Sequence, residues 1–268
     1  MKKTKRSLAL ILALGLIISL LLTGCTIGGN EKYRIADNLE DQKLCVGFRL
    51  DDKAADAVIA ALAVLQDDGT VKELSVKWFG SDTSLLTGNA EALNNLASKA
   101  EKRTFIIGYD PDRLPFSGMD ENGKPTGFDV ELARAVCDKL GWKAKFLPID
   151  VSGAEVELNS GNVDCVWGGF PFDAALKITC SPVYMQNTVI LASLAGSSVR
   201  SLGSLSGKTL TLGGNAYYDA LLEKTPALQS KPEIIVRVEG GTKECFEALN
   251  NESCDAIITD RVAIEYYK

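Results

Sequence analysis

The sequence predicts an α/β protein of two lobes, each a mostly parallel sheet flanked by helices. Two observations carry this. Short apolar strands alternate with amphipathic helical stretches through the whole body of the chain, and parallel strands need crossover helices that cover both sheet faces. In addition, residues 158–166 (LNSGNVDCV) align without gaps to residues 249–257 (LNNESCDAI). Each segment closes a helix, turns, and enters a strand through an aspartate, Asp164 or Asp255. Two similarly wound halves point to two lobes facing across a cleft; the alternative is chance similarity of helix–turn–strand chemistry.

The elements follow in order. Residues 44–48 (LCVGF) form a strand. Asp52 starts a helix with Ala55, Val58, Leu62 and Leu65 at helical spacing, closed by Gly69. Thr70-Val71-Lys72-Glu73 has the form of a capping box opening a second helix towards Trp78. Residues 105–108 make a buried strand, and 130–136 open a helix that Gly141 terminates. Ser152-Gly153-Ala154-Glu155 is a second capping box, followed by a strand at 163–166. The later half repeats this grammar: strand 209–212, helix 216–224, strand 234–238, helix 242–249, strand 256–258 and a helix from Asp260.

The N-terminus is a different kind of segment. Lys2, Lys3, Lys5 and Arg6 precede an apolar run over residues 8–22, which as a helix spans roughly 22 Å. A bilayer core is about 30 Å thick, so residues 1–24 read as a signal peptide and not as a permanent span. The run ends in Leu22-Thr23-Gly24-Cys25, which resembles a bacterial lipobox. That resemblance implies cleavage before Cys25 and diacylation of its thiol; two chains on one residue give lasting attachment where one gives little. The alternative is an ordinary signal peptide with a chance cysteine. Residues 25–30 are then a short linker. The expected location is the cell membrane, lipid-anchored on the extracytoplasmic face.

Charge and composition exclude several classes. The formal net charge is −6, and removal of the leader takes away four cations and no acidic residue. The body is therefore ill suited to nucleic acid or an anionic lipid surface. The chain has no histidine, which rules out a Ser-His-Asp triad, a Cys-His pair and a histidine-ligated metal. No catalytic residues, metal or cofactor are expected. Cys45, Cys137, Cys165, Cys180, Cys245 and Cys254 form no C-x-x-C pair and mostly fall in apolar runs, where cysteine packs as a small hydrophobe. An exported protein can still oxidise a pair, and sequence alone leaves the connectivity open.

From residue 105 to 268 the chain resembles the polar-amino-acid class of ABC-transporter solute-binding proteins (family 3, type II periplasmic-binding-protein fold). The resemblance runs through Gly108-Tyr109-Asp110, Leu114-Pro115-Phe116, Gly127-Phe128-Asp129-Val130-Glu131-Leu132 and Gly161-Asn162-Val163-Asp164. It continues in Cys180-Ser181-Pro182-Val183-Tyr184, Leu205-Ser206-Gly207-Lys208 and Asp255-Ala256-Ile257-Ile258-Thr259-Asp260. Single blocks are weakly specific; their order and spacing together are strongly so. The resemblance implies a monomer that binds a small solute between lobes joined by a two-crossing hinge and delivers it to an ABC permease.

The chain departs from the family in its order. The family continues past the Asp260 helix to a tail ending in Lys-Trp-Phe-Gly, whereas this chain stops at Lys268. Segments resembling that tail stand at the front: Tyr33-Arg34-Ile35-Ala36, Cys45-Val46-Gly47-Phe48-Arg49, Asp67-Asp68-Gly69-Thr70 and Lys77-Trp78-Phe79-Gly80. Joining Lys268 to Glu31 restores the family order, which reads as a circular permutation; the alternative is a trimmed tandem array. Permutation is tolerated where termini lie together in exposed loops. It predicts one lobe from residues 43–185 and the other from residues 31–42 and 189–268, with hinge segments near 41–43 and 185–188.

The pocket also departs from the family. Where the family has an arginine that grips the ligand's α-carboxylate with its two-pronged donor, this chain has Phe170-Pro171-Phe172-Asp173-Ala174-Ala175, with no arginine, and Gly169 before it as a further candidate. A family Gly-Thr-Thr is here Asn215-Ala216-Tyr217, leaving backbone N–H groups of a helix start for an anion. Asp260 matches the aspartate that receives the α-amino group; its alternative role is a helix N-cap. Asp110 matches a pocket-facing aspartate. Arg113 stands where the family places an aromatic, near Phe116, and is either a relocated cation or a solvated loop arginine. Phe170, Phe172 and Tyr217 line an apolar or cation-stacking pocket, or pack in the core. The implied solute is amino-acid-like or amine-like, cationic or neutral. Two other classes stay open: a signalling or scaffold lipoprotein with a degenerate pocket, and an enzyme on the same fold. The second is disfavoured by the missing acid–base pair.

Overall fold

The structure, a computed structural model, describes residues 31–95, 102–214 and 216–268. The expected leader, the linker, Cys25 and Asn215 lie outside the described residues. Residues 33–268 form one compact unit; of the preceding unit, only Glu31 and Lys32 are described.

The unit opens on β1 (Tyr33–Leu44), β2 (Gly47–Phe48), α1 (Ala54–Asp67) and α2 (Thr70–Phe79). After β3 (Thr104–Tyr109) comes a small antiparallel sheet of β4 (Asp112–Arg113), β5 (Ser117–Met119) and β6 (Pro125–Thr126). Then follow α3 (Phe128–Leu140), β7 (Lys143–Pro148), α4 (Ala154–Asn159), β8 (Cys165–Val166) and β9 (Thr179–Cys180). The remainder is β10 (Met185–Leu194), β11 (Thr209–Gly213), α5 (Ala216–Lys224), α6 (Pro226–Ser230), β12 (Ile234–Val238), α7 (Thr242–Asn250), β13 (Ala256–Asp260) and α8 (Arg261–Tyr266).

Two five-stranded sheets organise two lobes. The first has the order β7-β3-β8-β2-β9 and the second β1-β10-β13-β11-β12. In each, three strands pair in parallel and two more join through antiparallel pairs, so that one strand, β2 or β10, runs against the other four. The antiparallel pair at the edge of the second sheet is made by the crossing strands: β1 runs against β10 from Tyr33↔Leu194 to Leu44↔Met185. The positions expected as hinges are therefore strand-paired, with Gln42 opposite Asn187.

Packing explains why these runs are strands and helices. In β10, Val189 and Leu191 bury on one face of the sheet with Leu210, Leu212 and Leu221, while Ile190 and Ala192 bury on the other with Phe246 and Ile257. A strand covered on both faces must be apolar throughout, not alternating. In the first lobe, Phe48, Val58, Leu62, Trp78 and Phe79 share one core with Phe105, Trp142, Trp167 and Tyr184, so residues 44–79 pack into the same lobe as residues 105–185.

The aspartates of the repeated segment do equivalent work. Asp164 accepts the Ile106 N–H (2.7 Å) and Asp255 the Thr209 N–H (2.9 Å), each tying the entry of one parallel strand to the start of its neighbour. The two capping boxes do not form. Helix α2 begins after Gly69 with no side-chain cap, and Asp68 takes the Thr70 N–H and hydroxyl instead. Asp150, not Ser152, caps the turn before α4 by accepting the Ser152 N–H. In both places an aspartate two residues upstream takes the free N–H group, and an ionised acceptor outcompetes a hydroxyl. The strand expected over 163–166 is confined to Cys165–Val166.

Candidate functional site

The ends of the parallel strands in the first lobe face α5 and β13 of the second. Asp110 follows β3. Its side chain accepts the Asp112 N–H (2.9 Å), and Ser117 Oγ donates to its carbonyl (2.6 Å), so a local turn holds the carboxylate in place. Burial pushes the Asp110 carboxyl up to about 6. Burial likewise raises Asp112.

Arg113, on β4, is the centre of the arrangement. It is only 6% exposed and reaches across to Asp260, at the end of β13, which is 1% exposed. Nε donates to Asp260 Oδ2 (2.9 Å) and Nη2 to Oδ1 (2.8 Å), a two-pronged pair. Nη2 also donates to Gln42 Oε1 (2.8 Å), and Nη1 to the Gly169 carbonyl. Asn187 Nδ2 donates to both Gln42 Oε1 (3.0 Å) and Asp260 Oδ1. The guanidinium lies 5.4 Å from the Phe116 ring centre and 5.7 Å from that of Tyr217. Burial alone would lower its pKa, but the Asp260 carboxylate outweighs burial and holds it well above its usual value. The arginine stays charged.

Gly169 supports this cluster from behind. Its φ is +67°, and a Cβ there would crowd the Arg113 guanidinium. The Asp129 carboxylate, from the first turn of α3, accepts the Gly169 N–H and the Tyr184 hydroxyl (2.9 Å). Burial pushes Asp129 up to about 7 in spite of these donors.

Beside the ion pair lies a chamber of about 210 Å³. Asp110, Asp112, Phe170 and Asp173 line it from the first lobe, and Tyr217 and Tyr218 from the second. It sits at loops beyond the carboxyl ends of parallel strands, where open α/β sheets bind ligands.

The sequence-derived site residues therefore separate into groups. Asp110, Arg113, Phe170 and Tyr217 come together at the chamber, and Gly169 and Asp260 meet Arg113. Arg113 is no solvated loop residue, and Asp260 makes no side-chain cap to α8. Phe116 does not line the chamber; it is fully buried against Phe79, backing the guanidinium. Phe172 does not reach it either. Its N–H is tied to the Lys43 carbonyl (2.7 Å), and the side chain is half exposed. The sequence reading missed Gln42, Asn187 and Asp129. The first two sit in the hinge ranges, and only the β1–β10 register, which sets them opposite each other, marks them out.

Comparison with known proteins is consistent with this geometry. Residues 105–251, more than half the chain, match the bacterial extracellular solute-binding proteins, family 3. An arginine-binding extracellular protein of Bacillus subtilis (strain 168) is 30% identical over 179 residues, covering 65% of this chain and 68% of the relative. A probable amino-acid ABC transporter-binding protein of Haemophilus influenzae (strain ATCC 51907 / DSM 11121 / KW20 / Rd) is 26% identical over 196 residues, 69% of this chain and 74% of the relative. Among solved structures, an ABC uptake transporter substrate binding protein from Streptococcus pneumoniae with bound histidine superposes with a TM-score of 0.51 at 28% identity, covering 61% of this chain and 68% of that one. With its two-lobed α/β fold and the match over more than half its length, the chain belongs to the bacterial extracellular solute-binding proteins, family 3.

Proposed function

We propose that the protein is the solute receptor of an ABC importer, closing two lobes over an amino-acid-like or amine-like molecule that it passes to a membrane permease, without carrying out a reaction. The observation that carries this is the chamber between the lobes, at the ends of the parallel strands, with the nearly buried Asp110 facing it. The B. subtilis relative, named for arginine, and the S. pneumoniae structure with histidine support a nitrogen-rich amino-acid-like ligand. A thermal-shift screen against amino acids, amines and guanidines tests it. A ligand that binds only the folded state at a thousandfold excess over Kd stabilises it by about 4 kcal/mol; a screen in which no compound raises Tm refutes the receptor reading.

Attachment through diacylated Cys25 and a monomeric state complete this reading, the first on the lobe-independent strength of the leader and lipobox-like sequence. Circular permutation is part of it as well. The Tyr33 hydroxyl donates to the Tyr267 carbonyl (3.1 Å), and Tyr33 and Tyr267 both pack on Phe246. The two ends of the unit are thus neighbours, as permutation requires. The family match beginning at residue 105 and the packing of residues 44–79 into the first lobe support the same reading.

One observation favours the second reading, a scaffold or signalling lipoprotein. The cleft is bridged by its own Arg113–Asp260 pair.

A further inference from the structure

The inner end of the cleft is already occupied. The Arg113 guanidinium is gripped by both oxygens of Asp260, by Gln42 Oε1 and by the Gly169 carbonyl, between the faces of Phe116 and Tyr217. Carboxylate, carbonyl acceptors and aromatic faces are what a free alkylguanidinium would need for burial. Here one arrives on a tether from the first lobe and is held by groups of both lobes.

The chamber next to it has the opposite problem. Asp110 is more than nine-tenths buried, and among the described residues only one of its carboxylate oxygens takes a hydrogen bond. Asp112 and Asp173 join it on the wall. Among the described residues, no lysine or arginine forms an ion pair with any of the three, and Arg113 is the one cation lining the chamber. A carboxylate entering there would meet three carboxylates and would have to draw Arg113 away from Asp260, stranding a buried charge. A cation meets Asp110 directly and the faces of Phe170 and Tyr217.

We propose that Arg113 is a tethered occupant of the inner subsite, and that the solute lodging beside it in the outer chamber is an organic cation, an amine or guanidine, that brings no carboxylate. This rests on the reading of the chain as a solute receptor, which it deepens.

Two measurements test it separately. Arg113→Ala vacates the inner subsite, and millimolar ethylguanidinium chloride should then raise the Tm of that variant. The rise should exceed any shift in the wild type or in the Arg113→Ala/Asp260→Asn double variant, each read against its potassium chloride control, because both of those proteins keep the outer chamber but offer no vacant inner subsite. No rescue, or equal rescue of the double variant, overturns the tethered occupancy. The second measurement needs no variant and stands if Arg113→Ala fails to fold. In calorimetric titrations of the wild type with agmatine and L-arginine, which differ by one carboxylate, agmatine should bind tighter by about tenfold or more. Tighter binding of L-arginine overturns the carboxylate-free class. If neither binds and no other amine or amino acid does, the receptor reading falls with the outer site, while rescue of Arg113→Ala still decides the inner one.

Discussion

Replacing Asp129 with Asn should flatten the pH dependence of stability. The Asp129 carboxyl is fully buried; one oxygen takes the Gly169 N–H and the Tyr184 hydroxyl. Among the described residues the other makes no hydrogen bond, and neither does the Trp167 indole N–H that lies near it, while the Arg113 charge is felt. Burial pushes its pKa from 3.8 to about 7. A carboxyl raised in the folded state contributes stability that is fully present below the unfolded pKa and is lost as pH rises through the folded one. At about 1.4 kcal/mol per pKa unit, moving from pH 5 to pH 8 crosses two units below the folded value and removes about 3 kcal/mol. Asp110 titrates near 6 in both proteins and cancels in the comparison. Asp129→Asn keeps an acceptor for Gly169 and Tyr184 at the cost of roughly one hydrogen bond, about 1 kcal/mol. Urea melts at pH 5 and pH 8 should therefore find the variant less stable at pH 5 and the more stable of the two at pH 8. If the difference between the proteins is the same at both pH values, Asp129 does not titrate in this range and the reasoning fails.

Three further outcomes follow from the same contacts. Asp260→Leu should cost about 3–5 kcal/mol by leaving Arg113 buried and unpaired, and Arg113→Met/Asp260→Leu should recover most of that loss in urea melts; a double variant no more stable than the single one would contradict the pairing. Gly241→Ala should hold the lobes apart, because Gly241 has φ +69° and a Cβ there strikes the Asp112 carbonyl. Small-angle scattering should then give a larger radius of gyration than the wild type, and an unchanged radius would be contrary to this. Cys25→Ser should abolish palmitate labelling in cells; a variant that stays labelled rules out the lipid anchor at that residue.

The alternation of strands and helices was legible because each element is long enough for its burial to write a pattern. Strand β10 reads as a continuous apolar run because helices cover both of its faces, and α1 shows its buried stripe at Val58, Leu62 and Leu65. Capping was less legible. Thr70 and Ser152 match a motif, but Asp68 and Asp150, just outside it, took the N–H groups, and a local pattern does not record such competition. The site was half legible. Asp110, Arg113 and Asp260 stood out as charges in otherwise ordinary surroundings. Their pairing did not, because it joins residues 147 apart in sequence. Gln42 and Asn187 are polar residues in strands, invisible until the crossing strands set them opposite each other. Phe116 and Phe172 were indistinguishable by type, yet one is core and the other half exposed.

In the proposed receptor, Asp110 faces a solute in the chamber between the lobes. The direct measurement is calorimetric titration of the compound giving the largest thermal shift into wild type and Asp110→Asn. The substitution keeps the side chain's size and its acceptor for Asp112, and removes only the charge. The wild type should bind, and Asp110→Asn should lose affinity tenfold or more, about 1.4 kcal/mol or greater. Equal affinities in the two proteins would contradict it.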